Sequence, residues 1–199
     1  LIGSSHAMNL LSDFTLARGQ PTFRLGGTVT VNGPGKLINN QTSLLLDSDT
    51  INADLVNQSL LVATNTNTIA GALTTDANSI LRVQSQANAF NSVLNVTNSF
   101  TNNGHVELLL AGGSAGQDST LNVTAAGSTL TNAAGGVIQS VAGGTGVHVL
   151  AAQLANLGTI DVDHSLNINR ASAAHSNSGT INVTGGNLTL TQTGSTPTF

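Results

Sequence analysis

Two short motifs alternate through the last third of this 199-residue chain, and together they leave few folds open. One motif is a three-residue apolar-x-apolar unit, present as Leu121-Asn122-Val123, Val147-His148-Val149, Leu166-Asn167-Ile168 and Leu188-Thr189-Leu190. The other is an Asn, a Gly two positions on, and an alternating stretch. It occurs as Asn156-Leu157-Gly158-Thr159-Ile160-Asp161-Val162 and again as Asn177-Ser178-Gly179-Thr180-Ile181-Asn182-Val183. Self-similarity at this spacing marks a repeat architecture in which each unit buries its apolar face against its neighbours. The spacing also drifts from one repeat to the next. A helical hairpin repeat tolerates little drift, whereas a solenoid of strands absorbs extra residues in its loops.

Residue type selects strands over helices. Val, Ile and Thr at alternate positions suit a pleated surface with one buried face, and Gly and Asn interrupt the chain too often for helices of ordinary length. With no helical stretch between the strands, βαβ units are excluded. The expected fold is all-β: a single-stranded, right-handed parallel β-helix with roughly 22 residues per coil and roughly eight or nine coils. The inward set is expected to include Leu121, Val123, Leu130, Ile138, Val147, Val149, Leu154, Ile160, Val162, Leu166, Ile168, Ile181, Val183, Leu188 and Leu190. Asn39, Asn57, Asn102, Asn132, Asn156 and Asn177 precede turns. There Asn tolerates a left-handed backbone and its amide can satisfy main-chain groups.

Upstream the same grammar is blurred but continuous, from Thr28-Val29-Thr30-Val31 through Val93-Leu94-Asn95-Val96. Residues 1–24 are expected to be a tag-like or capping N-terminal segment, with Gly3 to Met8 resembling a cloning remnant. Residues 25–199 are expected to be β-helix repeats, a fragment of a longer protein. Gly112-Gly113-Ser114-Ala115-Gly116 and Gly143-Gly144-Thr145-Gly146 are read as coil loops rather than linkers.

Composition narrows the function classes. Five basic against nine acidic residues give a net charge of -4, so no basic patch is available to neutralise phosphates, and nucleic acid is excluded as the expected partner. No run approaches the roughly 18 apolar residues of a membrane span, so no membrane insertion is expected of this segment. With no Cys, disulfides and thiolate metal sites are excluded as well.

The motif Asn-x-Gly-Thr-Ile-x-Val alternating with Thr-Leu-x-Val, in a chain rich in Asn, Thr and Gly, resembles the passenger β-solenoids of bacterial autotransporters and filamentous-haemagglutinin-like adhesins. The resemblance covers roughly residues 25 to 194 and rests on repeat grammar, a fold-level signal. It implies a pectin-lyase-like parallel β-helix, secreted or displayed on the cell surface. It implies service as a scaffold or adhesin, with a host or neighbouring-cell surface, a protein receptor or a glycan as partner, alongside further repeats of the parent chain. The alternative is a carbohydrate-active β-helix, either a polysaccharide lyase or hydrolase or a glycan-binding module. Against that alternative stands the lack of Trp and Tyr, because sugar sites use aromatic platforms.

Three groups of residues are candidates for chemistry. Asp161-Val162-Asp163-His164, followed by Arg170, gathers two carboxylates, an imidazole and a guanidinium, and alternation puts both carboxylates on one strand face; a cluster of Asp161, Asp163, Arg170 and His148 in one groove would favour the carbohydrate-active alternative. The default for them is solvated strand-end charge. His105, His148 and His175 lie on different coils and are not expected to share a metal. Gly112 to Leu121, with Asp118, resembles a single calcium-binding repeat, but calcium β-rolls need the unit in tandem. No cofactor is expected, and the non-catalytic reading leads.

Overall fold

The computed structural model describes residues 6–16, 19, 22–40, 43–86, 90–111, 116–194 and 198. Gly3 to Ser5, expected as part of a tag-like segment, most of Gly112 to Gly116, expected as a coil loop, and Thr196-Pro197 lie outside them. Strands are short, and no helix occurs among the described residues. Every paired strand runs parallel to its neighbour, and partners in a ladder come from successive turns of the chain. The chain is a parallel β-helix with three faces.

One turn shows the pattern. Thr30–Asn32 lies on the first face, Leu37–Asn39 on the second and Ser43–Asp47 on the third, before Thr50–Ile51 returns to the first. The first face is a 9-stranded sheet running from Ala7–Asn9 to Leu188–Thr191, and the third is an 8-stranded sheet from Phe23–Arg24 to Thr180–Val183. The second face is divided into two 4-stranded sheets. These strands make eight three-sided coils and a ninth first-face strand. The ladder begins at Ala7, which pairs with Thr30, inside the stretch expected as tag-like or capping.

Parallel stacking at about 4.8 Å brings like positions of successive coils into contact, so the interior is built from ladders of side chains. Leu44, Leu61 and Leu81 form one, followed by Val106, Ile138 and Ile160, all fully buried. Each such side chain contributes about 1.5–3 kcal/mol by leaving water.

A polar ladder runs through this core at the corner between the second and third faces. Asn39 Nδ2 donates to Asn57 Oδ1 at 2.7 Å. Beyond a break at Thr75, Asn102 donates to Asn132 at 2.8 Å, Asn132 to Asn156 at 2.7 Å and Asn156 to Asn177 at 2.7 Å. The same amides also reach main-chain carbonyls across the corner, as from Asn132 to Thr159 O at 3.0 Å. The amide role foreseen for these Asn residues holds, but the left-handed backbone does not. None of them has a positive φ; five are buried on the inward side of a strand, and Asn177 stacks in register over Asn156 at the exposed end. At the break, Thr75 Oγ1 donates to Thr101 O at 2.9 Å, and Asn102 Oδ1 is left buried without a partner.

The Gly of the second motif follows from close approach of stacked corners. A Cβ on Gly158 would lie 2.2 Å from Gly136 O, and one on Gly179 would lie 2.0 Å from Gly158 O. Real side chains cannot occupy that space.

The inward set is corrected at two places. Val147 is 41% exposed and Val149 faces outward, while His148 and Leu150 point into the core in register with Ser119 and Leu121. A one-residue shift in a period-two pattern exchanges the faces of the whole strand. In the last turn, Ile181, Val183, Leu188 and Leu190 stack in register over Ile160, Val162, Leu166 and Ile168. Even so, Val183 and Leu190 remain exposed.

Candidate functional site

The residues singled out for chemistry are dispersed. Asp161 faces outward on the third-face strand Thr159–Val162 and accepts a hydrogen bond from Asn182 Nδ2 of the next coil at 2.8 Å. Asp163 lies at the corner after that strand. Gln139 Nε2 donates to it from the coil before at 2.8 Å, and Thr184 Oγ1 from the coil after. Those two donors hold its carboxyl below the usual carboxylate range, with the Thr184 contact the larger cause. Arg170 follows the first-face strand Leu166–Asn169 and turns back on the stack, where its guanidinium donates to Val123 O and to Ala125 O. Among the described residues the ion pairs are Arg24 with Asp47 and Arg82 with Glu107, so Arg170 pairs with neither carboxylate.

His148 is fully buried. Its Nδ1 lies 2.7 Å from Ser140 Oγ, whose own proton goes to His164 O at 2.6 Å, so Nδ1 carries the hydrogen of the imidazole. Nε2 is then a bare lone pair in the core, buried without a partner, as is His164 Nδ1. The two rings sit 4.9 Å apart. Burial, and secondarily the neighbouring His164, lower the pKa of His148 to about 4. The sequence grouped His148 with His105 and His175. His105 instead lies exposed on the third face, and His175 accepts a hydrogen bond from Leu154 N at 3.2 Å.

Asp118 accepts from Val147 N at 2.8 Å and ties one long corner to the next. Among the described residues no three His, Asp or Glu side chains are placed to hold a metal ion.

The structure shows a different concavity, at the corner between the third and first faces. Three successive coils turn this corner through a residue that is not glycine yet has a left-handed backbone: Thr28 (φ 69), Ser48 (φ 68) and Asn65 (φ 58). Asn tolerates that region, but for a β-branched Thr it costs about 1–2 kcal/mol. A buried polar brace holds the corners there. The Asp49 carboxylate accepts from Val29 N at 2.9 Å and Asp47 N at 2.8 Å. Asp49 N donates to Asn67 Oδ1 at 2.8 Å, and Asn67 Nδ2 donates to Thr64 O at 2.6 Å. Burial raises the pKa of Asp49 despite the two N–H donors.

In the fourth coil Phe90 precedes the first-face strand Ser92–Val96 and is 67% exposed. Thr28, Ser48, Asn65, Thr66, Phe90 and Asn91 together line an open recess of about 690 Å³. None of these side chains is ionisable. The recess also borders the first face, where no strand contains Asp, Glu, Lys or Arg. The strand charges fall instead on the third face, at Arg24, Asp47, Arg82, Glu107 and Asp161.

Sequence reasoning missed this recess because left-handed Thr and Ser leave no mark in composition. No family model, curated protein or solved structure matches the chain.

Proposed function

We propose that this chain is a non-catalytic scaffold or adhesin segment, secreted or held at the cell surface. In this reading it belongs with the bacterial autotransporter and filamentous-haemagglutinin-like passenger solenoids, and its partner is a host or neighbouring-cell surface, through a protein receptor or a glycan. One observation carries the non-catalytic half of the reading. The candidate carboxylates and the candidate guanidinium are each engaged in a contact between coils, and the candidate imidazole of His148 is buried. Asp161 and Asp163 hold adjacent turns on the third face, Arg170 closes a corner on carbonyls, Asp118 accepts a main-chain N–H, and His148 is inside the core. General acid–base chemistry needs two such groups converging on one point within hydrogen-bond reach of a substrate, and these do not converge. The display half is supported by the repeat grammar and by the polar, sparsely charged exterior.

The test is incubation of the purified chain with soluble and insoluble polysaccharides, scoring newly formed reducing or unsaturated ends. The expected result is none above a buffer blank. New ends that disappear in Asp161→Asn or Asp163→Asn would replace this reading with a lyase or hydrolase.

A further inference from the structure

We propose that the recess beside Phe90 binds a neutral carbohydrate chain. A pyranose presents an apolar C–H face together with a rim of hydroxyls. It is recognised by an aromatic ring that covers the face and by hydroxyl and amide groups that meet the rim. The recess offers both. Phe90 stands exposed as one wall, and the hydroxyls of Thr28, Ser48 and Thr66 and the Nδ2 of Asn91 line the rest, while Asn65 donates its Nδ2 to Asp47 and keeps its Oδ1 buried.

Charge selects among the polar ligands. A phosphorylated or uronic acid ligand needs a cation, and a cationic ligand needs a carboxylate, yet no lining residue ionises. A lipid or an apolar peptide needs a continuous apolar lining, and here one aromatic ring is set among five polar residues.

The backbone supplies an independent pointer. Left-handed residues other than glycine and Asn are uncommon, and they concentrate at ligand sites, where the surrounding structure over-determines them. Among the described residues three such positions occur, Thr28, Ser48 and Ser172, and the first two, with Asn65 at the next corner, are consecutive corners of this recess. They keep Cβ and a polar group where glycine would leave bare backbone. Stacking them one coil apart sets a row of polar groups along the solenoid axis, at about 4.8 Å intervals. An extended chain of sugars lies along such a row, whereas a compact metabolite does not fill it.

This assignment gives a ligand class to the display surface and rests on reading that surface as binding rather than catalytic. The experiment titrates the purified chain by calorimetry with cellohexaose, xylohexaose and mannohexaose, using a galacturonate hexamer as the anionic control. Ends released in the same mixtures are measured in parallel. At least one neutral hexamer should bind, and the galacturonate hexamer should not. Phe90→Ala should weaken binding by about tenfold or more, the loss of one aromatic contact, with an unchanged thermal midpoint because the ring is already exposed. Leu157→Ala, which removes an exposed apolar side chain from a different corner, should bind as the parent does. The proposal is overturned if no neutral hexamer binds, if the galacturonate binds as well as they do, or if affinity survives Phe90→Ala. Released ends would instead overturn the non-catalytic reading, so the two failures are told apart.

Discussion

Replacing Asn132 by Leu isolates what the internal Asn ladder contributes, because volume and burial change little while every polar contact is removed. Asn132 Nδ2 donates to Asn156 Oδ1 at 2.7 Å and to Thr159 O at 3.0 Å, and its Oδ1 accepts from Asn102 Nδ2 at 2.8 Å. The substitution leaves Asn156 Oδ1 without its ladder donor and Asn102 with one remaining partner, Val137 O at 3.0 Å. Asn102 Oδ1 is already unpaired, so the damage falls on a rung with no reserve. A buried group that loses its partner costs about 1–3 kcal/mol, and three are affected, one partially. The expected loss is about 3–5 kcal/mol. Asn177→Leu serves as the control at the exposed end of the ladder, where a single bond from Asn156 is lost, and it should cost less than about 1 kcal/mol. Urea unfolding is followed by far-ultraviolet circular dichroism, since the chain has no Trp or Tyr. Amide exchange around Thr159 reports local opening if the coils do not unfold as one. Equal costs for the two variants would refute the view that the ladder is a structural spine.

Two further outcomes follow from the same contacts. His148 has its folded pKa lowered to about 4. Its contribution to stability is therefore complete above the unfolded value of about 6.5, shrinks as pH falls through that value, and is lost by about pH 4. At about 1.36 kcal/mol per unit the loss amounts to about 3 kcal/mol, and urea midpoints across pH 7 to 4 should show a slope that His148→Leu reduces. His175, also lowered by burial, adds to the slope, Asp49, raised by burial, opposes it, and Asp163 acts at lower pH. Thr28→Asn should raise the thermal midpoint, because Asn accepts the left-handed corner at a lower cost, with a gain of about 1 kcal/mol. The same variant should alter affinity at the recess, and a lower midpoint would show that the Thr28 conformation is not strained.

The parallel β-helix was legible because its two motifs have direct physical causes. Asn156 and Asn177 are rungs of the internal ladder, and Gly158 and Gly179 sit where stacked corners approach too closely for a Cβ. Alternation around Ile160 and Val162 placed their strand correctly. It failed at Val147-His148-Val149, where two valines outvoted a histidine whose burial depends on Ser140, a partner eight residues away that no local pattern reveals. The left-handed reading of the Asn residues failed for a related reason. Asn suits both turns and buried amide ladders, and only the stacking of coils decides between them. Asp161 and Asp163 stand out as candidates beside the default of solvated strand-end charge because their proximity is visible in the sequence, whereas their partners Gln139, Asn182 and Thr184 belong to adjoining coils. The corner row of Thr28, Ser48 and Asn65 depends on backbone dihedrals that residue types alone do not encode.

The most direct test of the proposed role is the location of the protein in the cell that makes it. Antibody raised against the purified chain should label intact cells or recover the protein from the medium, and protease added outside should remove the label while a cytoplasmic marker survives. Labelling that requires permeabilised cells, with the chain protected from external protease, would contradict a displayed scaffold or adhesin.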